Sequence, residues 1–171
     1  MFLTPTQEQR VNCYVDSDLA GMFAVENSGD PISVKSRTGY VILCRGSPLL
    51  WISKLQTQIA LLTMEAEYVA LSQSMRDLIP IRQILQEIMS IVFCASPIIV
   101  NHSHSKAFDD VKTGSMPSTV EQSTVNEDNQ ACLKFASMAQ LLPRTKHIGI
   151  PYHWFCAQVE SLDIHIEPIS T

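Results

Sequence analysis

Basic residues are scarce in this sequence: 12 Lys and Arg stand against 17 Asp and Glu, a formal net charge of −5. That balance excludes a protein that grips nucleic acid through bulk positive charge alone. It leaves open a site in which acids hold metal ions, with other parts of a larger protein supplying affinity for a polyanion. Charged residues are only 17% of the 171 positions and hydrophobic ones 46%, so a buried core is within reach and global disorder is excluded.

Long apolar runs are missing too. The longest, Ile88 to Val100, is broken by Ser90, Ser96 and Pro97, and it falls short of the roughly 20 residues of a spanning helix. The N-terminus (MFLTPTQEQR) has no basic segment followed by an apolar one, so a signal peptide is not expected and an intracellular protein is. The five cysteines (Cys13, Cys44, Cys94, Cys132, Cys156) form no C-x-x-C pair. Neither a zinc knuckle nor a disulfide framework is indicated, and four of them read as small buried hydrophobes. The six glycines are dispersed, leaving no phosphate-cradling loop, and G-x-S-x-G is absent.

What is present is an alternation of periods. Over residues 11–18, Val11, Cys13 and Val15 face one way while Asn12, Tyr14, Asp16 and Asp18 face the other, a strand ending in a carboxylate pair. Residues 19–37 are rich in turn formers and read as a surface loop. Gly39–Cys44 and Leu49–Ser53 follow as two strands, joined through Arg45-Gly46-Ser47-Pro48 in an antiparallel hairpin. Residues 63–91 then step by three or four: Leu71, Met75, Leu78, Ile81, Leu85 and Ile88 form one apolar stripe of a helix. Thr63 is its expected N-cap, and Pro80 is expected to kink or divide it.

Residues 92–122 carry Pro, Gly, Ser and mixed charge without a sustained period, and read as an irregular insertion in a single domain spanning 1–171. A short strand, Ser123–Glu127, and a helix, Gln130–Met138, come next. A basic turn, Pro143 to His147, leads into a helix over Tyr152–Ser161 and a final strand over Asp163–Ile169. The order implies an α/β fold with a mixed sheet flanked by helices. Its first three strands are expected to be antiparallel neighbours, with the fourth parallel to one of them.

Three acids fall at the ends of different elements: Asp16 near the end of the first strand, Glu67 in the first turns of the long helix, and Asp128 just after the fourth strand. Glu67 sits four residues before Leu71, so it lies on the helix face that packs on the sheet. A buried Glu is costly unless its charge is compensated, and further acids beside it raise that cost unless a cation is present. Oxygen-only ligands suit Mg²⁺ or Mn²⁺. By spacing alone each acid reads equally as a turn former or helix cap.

Six segments carry more. Tyr14-Val15-Asp16-Ser17-Asp18-Leu19-Ala20-Gly21, Ser36-Arg37-Thr38-Gly39-Tyr40-Val41 and Trp51-Ile52-Ser53-Lys54-Leu55-Gln56-Thr57 resemble the ribonuclease H region of Ty1/copia-type retrotransposon Pol polyproteins. So do Glu65-Ala66-Glu67-Tyr68-Val69-Ala70-Leu71-Ser72, Glu127-Asp128-Asn129-Gln130-Ala131, and Arg144-Thr145-Lys146-His147-Ile148 with Tyr152-His153, all in the family's order. The resemblance implies a ribonuclease H-like fold with a five-stranded mixed sheet, and hydrolysis of the RNA strand of RNA–DNA hybrids with two divalent ions, Mg²⁺ or Mn²⁺. It makes Asp16, Glu67 and Asp128 the catalytic metal ligands, and it puts Asn129, Gln130, Arg144, Lys146 and His147 at the nucleic acid. A partner is then the reverse transcriptase region of the same polyprotein, with no membrane involved. The expected location is cytoplasmic, in virus-like particles, with nuclear access. The family's fourth carboxylate lies in a stretch resembling ADIFTK after the last strand, and the chain stops at Ser170-Thr171 before it, so a C-terminally truncated domain is expected. Two other readings keep the same residues: an inactive retrotransposon relic that retains the fold, and a non-enzymatic interaction module of a polyprotein.

Overall fold

The computed structural model describes residues 10–24, 26, 29–94, 122–138, 153–161 and 164–169. Its elements are β1 (Val11–Asp18), β2 (Arg37–Cys44), β3 (Ser47–Leu55), α1 (Thr63–Cys94), β4 (Ser123–Glu127) and α2 (Gln130–Ala136). A 3₁₀ turn over His153–Phe155 then opens into α3 (Cys156–Ser161), followed by β5 (Ile164–Pro168). Most of the expected insertion (95–121) and the basic turn with Arg144, Lys146 and His147 lie outside the described residues.

The sheet runs in the order β3-β2-β1-β4-β5. β1 pairs antiparallel with β2, and β2 with β3, while β4 runs parallel to β1 and β5 parallel to β4. The expected mixed five-stranded sheet is therefore present. The β2–β3 hairpin closes in two residues, Arg45 and Gly46, both at positive φ (54° and 77°). That left-handed pair matches the twist of the two strands, and Gly46 adopts it without steric cost. Both strands are longer than their apolar runs, because β1 pairs with β2 as far as Asp18 opposite Arg37. Backbone pairing extends past the residues whose side chains are apolar.

Alternation in β1 places Val11, Cys13 and Val15 inward, all at most 2% exposed, against Tyr40 and Ile42 of β2 and the buried face of α1. Tyr68, Leu71, Met75 and Leu78 of that face are completely buried, each contributing roughly 1.5–3 kcal/mol by leaving water. Tyr68 also meets Phe135 of α2 edge-on (4.6 Å, 74°) and Phe155 (5.8 Å), joining α1 to the β4–β5 side. Cys13 and Cys132 are buried, as expected of small hydrophobes, and burial pushes the Cys13 thiol up to about 12.

Three expectations for the helix need correction. Thr63 is its first residue rather than its cap, and the Glu65 carboxylate instead accepts the free Leu61 N–H at 2.8 Å. Of the two outcomes expected at Pro80, a kink or a division, division is overturned, because α1 continues for fourteen residues to Cys94. Pro80 is exposed while Leu78, Ile79 and Arg82 around it are buried, so tertiary packing on both sides holds the helix through the missing hydrogen bond. The stripe also fades: Ile81 and Leu85 are only partly buried, and Ile88 is 49% exposed.

Candidate metal centre at the strand ends

Parallel pairing of β1 with β4 sets Tyr14 opposite Asn126. Two residues further along each strand come Asp16 and Asp128, so the register delivers both acids to the same end of adjacent strands. Ligand sites of open sheets commonly form at such carboxyl ends. The Asn126 amide donates to the Cys13 carbonyl (3.1 Å) and holds that register in place. The start of α1 lies above the same end, and Glu67 projects from its sheet-facing side with 6% exposure. One carboxylate oxygen from each of Asp16, Glu67 and Asp128 lies within 4.8 Å of the others. Opposite ligands of one octahedral Mg²⁺ are about 4.2 Å apart, so an adjustment of about half an ångström lets the trio share a cation.

Among the described residues, the charges acting on Glu67 are all acidic. Burial, followed by the charges of Glu127, Asp16 and Asp128, pushes the Glu67 carboxyl up to about 8, against a smaller opposing pull from the Ser17 backbone N–H. Glu67 Oε2 is buried and has no hydrogen-bond partner among the described residues. A buried carboxylate oxygen without a donor, in a cluster of acids, can be satisfied by a bound cation or an ordered water. The all-oxygen donors fit a hard divalent ion and do not suit zinc or copper.

Gln56, 1% exposed, braces the site from below. Its amide nitrogen reaches the Ala66 carbonyl (2.9 Å), Thr38 Oγ1 (3.1 Å) and Ser17 Oγ (3.3 Å). One side chain thus joins the residue before Glu67, the residue after Asp16, and β2. Gln56 stands in the Trp51–Thr57 segment singled out above, where nothing in the pattern marks it as buried.

Comparison with solved structures places this arrangement. Ribonuclease H1 of the halophilic archaeon Halobacterium salinarum superimposes with a TM-score of 0.50 over 94% of this chain and 85% of its own, at 14% identity. LC11-RNase H1, isolated from compost by a metagenomic approach, gives 0.50 over 94% and 84%, at 12% identity. This is the ribonuclease H fold. No known family profile matches the chain. In sequence the chain is similar to the retrovirus-related Pol polyprotein from transposon TNT 1-94 of Nicotiana tabacum, 29% identical over 161 residues and 93% of the chain. The chain spans about a tenth of that relative's length (10%). The resemblance to copia-type Pol polyproteins carried by the six segments is borne out.

Of the residues expected at the nucleic acid, two lie among the described residues. Asn129 is the N-cap of α2, its Oδ1 accepting the Ala131 and Cys132 N–H groups at 3.0 Å each. Its oxygen is therefore engaged in holding the helix. Gln130 is exposed at the first position of α2, two residues from Asp128. One acid of this end was not among the expected site residues. Glu127 is completely buried, and the inward phase of Ser123 and Val125 is the signal that would have found it.

Proposed function

We propose that this ribonuclease H domain hydrolyses the RNA strand of RNA–DNA hybrids, with Mg²⁺ or Mn²⁺ held by Asp16, Glu67 and Asp128. The observation that carries the reading is the convergence of three carboxylate oxygens within 4.8 Å around a buried, orphaned oxygen of Glu67. Two divalent ions in such a site supply an activated water and stabilisation of the leaving oxygen of a phosphodiester.

The chain's own residues do the placing. β1 and β4 present Asp16 and Asp128 at a common edge, α1 lowers Glu67 onto them, and Gln56 fixes the spacing between Ser17 and Ala66. In this reading Gln130, exposed at the head of α2 two residues after Asp128, contacts the hybrid, and the Asn129 side-chain amide nitrogen joins it. Distinguishing RNA from DNA would rest on 2′-hydroxyl contacts across the hybrid's minor groove. With a net charge of −5, most of the hybrid affinity would come from other parts of a Pol polyprotein, its reverse transcriptase region first.

The test is cleavage of a labelled RNA–DNA hybrid with Mg²⁺ present and then chelated. Asp128→Asn is expected to remove cleavage almost completely while leaving the circular-dichroism spectrum unchanged. Equal cutting by that variant refutes the assignment. Folded wild-type protein that binds divalent ions but never cuts favours the inactive relic.

A further inference from the structure

Glu127 is out of place for a charged residue. It closes β4 with no exposure at all, its carbonyl accepts the Ile169 N–H (3.0 Å), and its side chain turns inward with Val125 and Ser123. Oε1 accepts the backbone N–H of Asn129 at 3.1 Å, across the residue between them, which is Asp128. Oε2 is buried and finds no donor among the described residues. Glu67 of α1 is in the same position, its Oε2 buried and without a donor among the described residues. Two buried carboxylates at this end of the sheet thus each have one oxygen unpartnered among the described residues.

Glu127 lies outside the trio whose oxygens fall within 4.8 Å of one another, so its distances do not qualify it as a fourth shared ligand. Its bond to Asn129 N–H gives it a different purchase. It pins the turn that carries Asp128 and, through Asn129, the capped start of α2. The remaining oxygen needs a hydrogen, and once a bound cation holds the neighbouring acids ionised they have none to give. A hydrated divalent ion does, because Mg²⁺ keeps several of its waters when bound by carboxylates. Outer carboxylates of this kind orient the ligands of many metal sites, and their removal typically weakens metal binding about 10–100-fold.

We propose that Glu127 is a positioning residue of the metal centre, its Oε1 locking the Asp128–Asn129 turn and its Oε2 accepting a hydrogen bond from a cation-held water. The inference rests on the metal-binding reading above.

The experiment is Mn²⁺ titration of the full chain, following free Mn²⁺ by electron paramagnetic resonance, for wild type, Glu127→Gln and Asp128→Asn. Glu127→Gln keeps the size of the side chain and an acceptor for Asn129, and removes the charge. It should bind Mn²⁺ about tenfold more weakly, with a metal-free thermal midpoint no lower than wild type. Unchanged Mn²⁺ affinity overturns the inference, as does a loss of affinity matched by a loss of the midpoint, which is a merely structural role. Should the variant not fold, the wild-type Asn129 amide serves instead. Its hydrogen exchange should slow at least tenfold when Mg²⁺ is added, and an unchanged rate overturns the inference. Wild type that binds no Mn²⁺ refutes the metal-centre reading itself, whereas normal wild-type binding with an indifferent Glu127→Gln refutes only the role given to Glu127.

Discussion

Raising the pH of the metal-free domain should weaken it, against the usual behaviour of paired acids, and Glu67 supplies the largest share of the effect. The carboxyl is held at about 8 in the fold against an ordinary value of 4.5, and that of Glu127 at about 7, burial being the first cause in both. Between those limits the folded chain keeps protons that the unfolded chain has released. The native state therefore binds more protons, and stability falls as pH rises from about 4.5 through 8. For Glu67 alone the penalty is near zero at about pH 4, about 3 kcal/mol near pH 7 and about 5 kcal/mol by about pH 9, an upper estimate for a carboxyl 6% exposed. Urea unfolding at a series of pH values in chelator measures it. Glu67→Gln should flatten much of the slope and leave the smaller part that belongs to Glu127. Mg²⁺ at about 100 times its dissociation constant should return about 2.7 kcal/mol, with its effect growing as pH rises because the ligands must be ionised. A flat wild-type curve, or a Glu67→Gln curve as steep as wild type, refutes the claim that acidic charge is concentrated at this end of the sheet.

Other perturbations test the frame around the site. Gln56→Ala, which removes a 1%-exposed amide and leaves the Ala66 carbonyl without its 2.9 Å donor, should cost about 1–3 kcal/mol in urea unfolding. Phe155→Ala should cost about 3–5 kcal/mol in the same assay, since Phe155 is fully buried against Tyr68. Asn129→Ala removes the cap of α2 and should lower stability by about 1 kcal/mol, and an effect under a few tenths would show that the capping bonds contribute little.

The acids of the site were legible where a period governs their direction. Alternation along β1 sends Asp16 away from the core side occupied by Val15, and the phase of α1 sends Glu67 to the face shared with Leu71. Those directions follow from local backbone geometry, which the pattern of apolar residues reports directly. What stayed hidden depends on neighbours distant in sequence. The inward direction of Glu127 could be read from Val125, but two of the acids at its end of the sheet, Asp16 and Glu67, come from β1 and α1. Gln56 looks like any polar residue after a strand until β1, β2 and α1 close over it. Pro80 misled for a similar reason, because local backbone preference favours ending the helix there and long-range burial of Leu78, Ile79 and Arg82 outweighs it.

Helix α1 begins over the acids and, at 32 residues, carries the chain about 48 Å away from them. β4 then enters the sheet at Ser123, the end opposite Asp128, and runs back toward the acids alongside β1. The two ends of the join between α1 and β4, Cys94 and Ser123, thus both lie away from the acids. Descendants of this domain are free to lengthen or shorten that stretch while the spacing among positions 16, 67 and 128 is preserved.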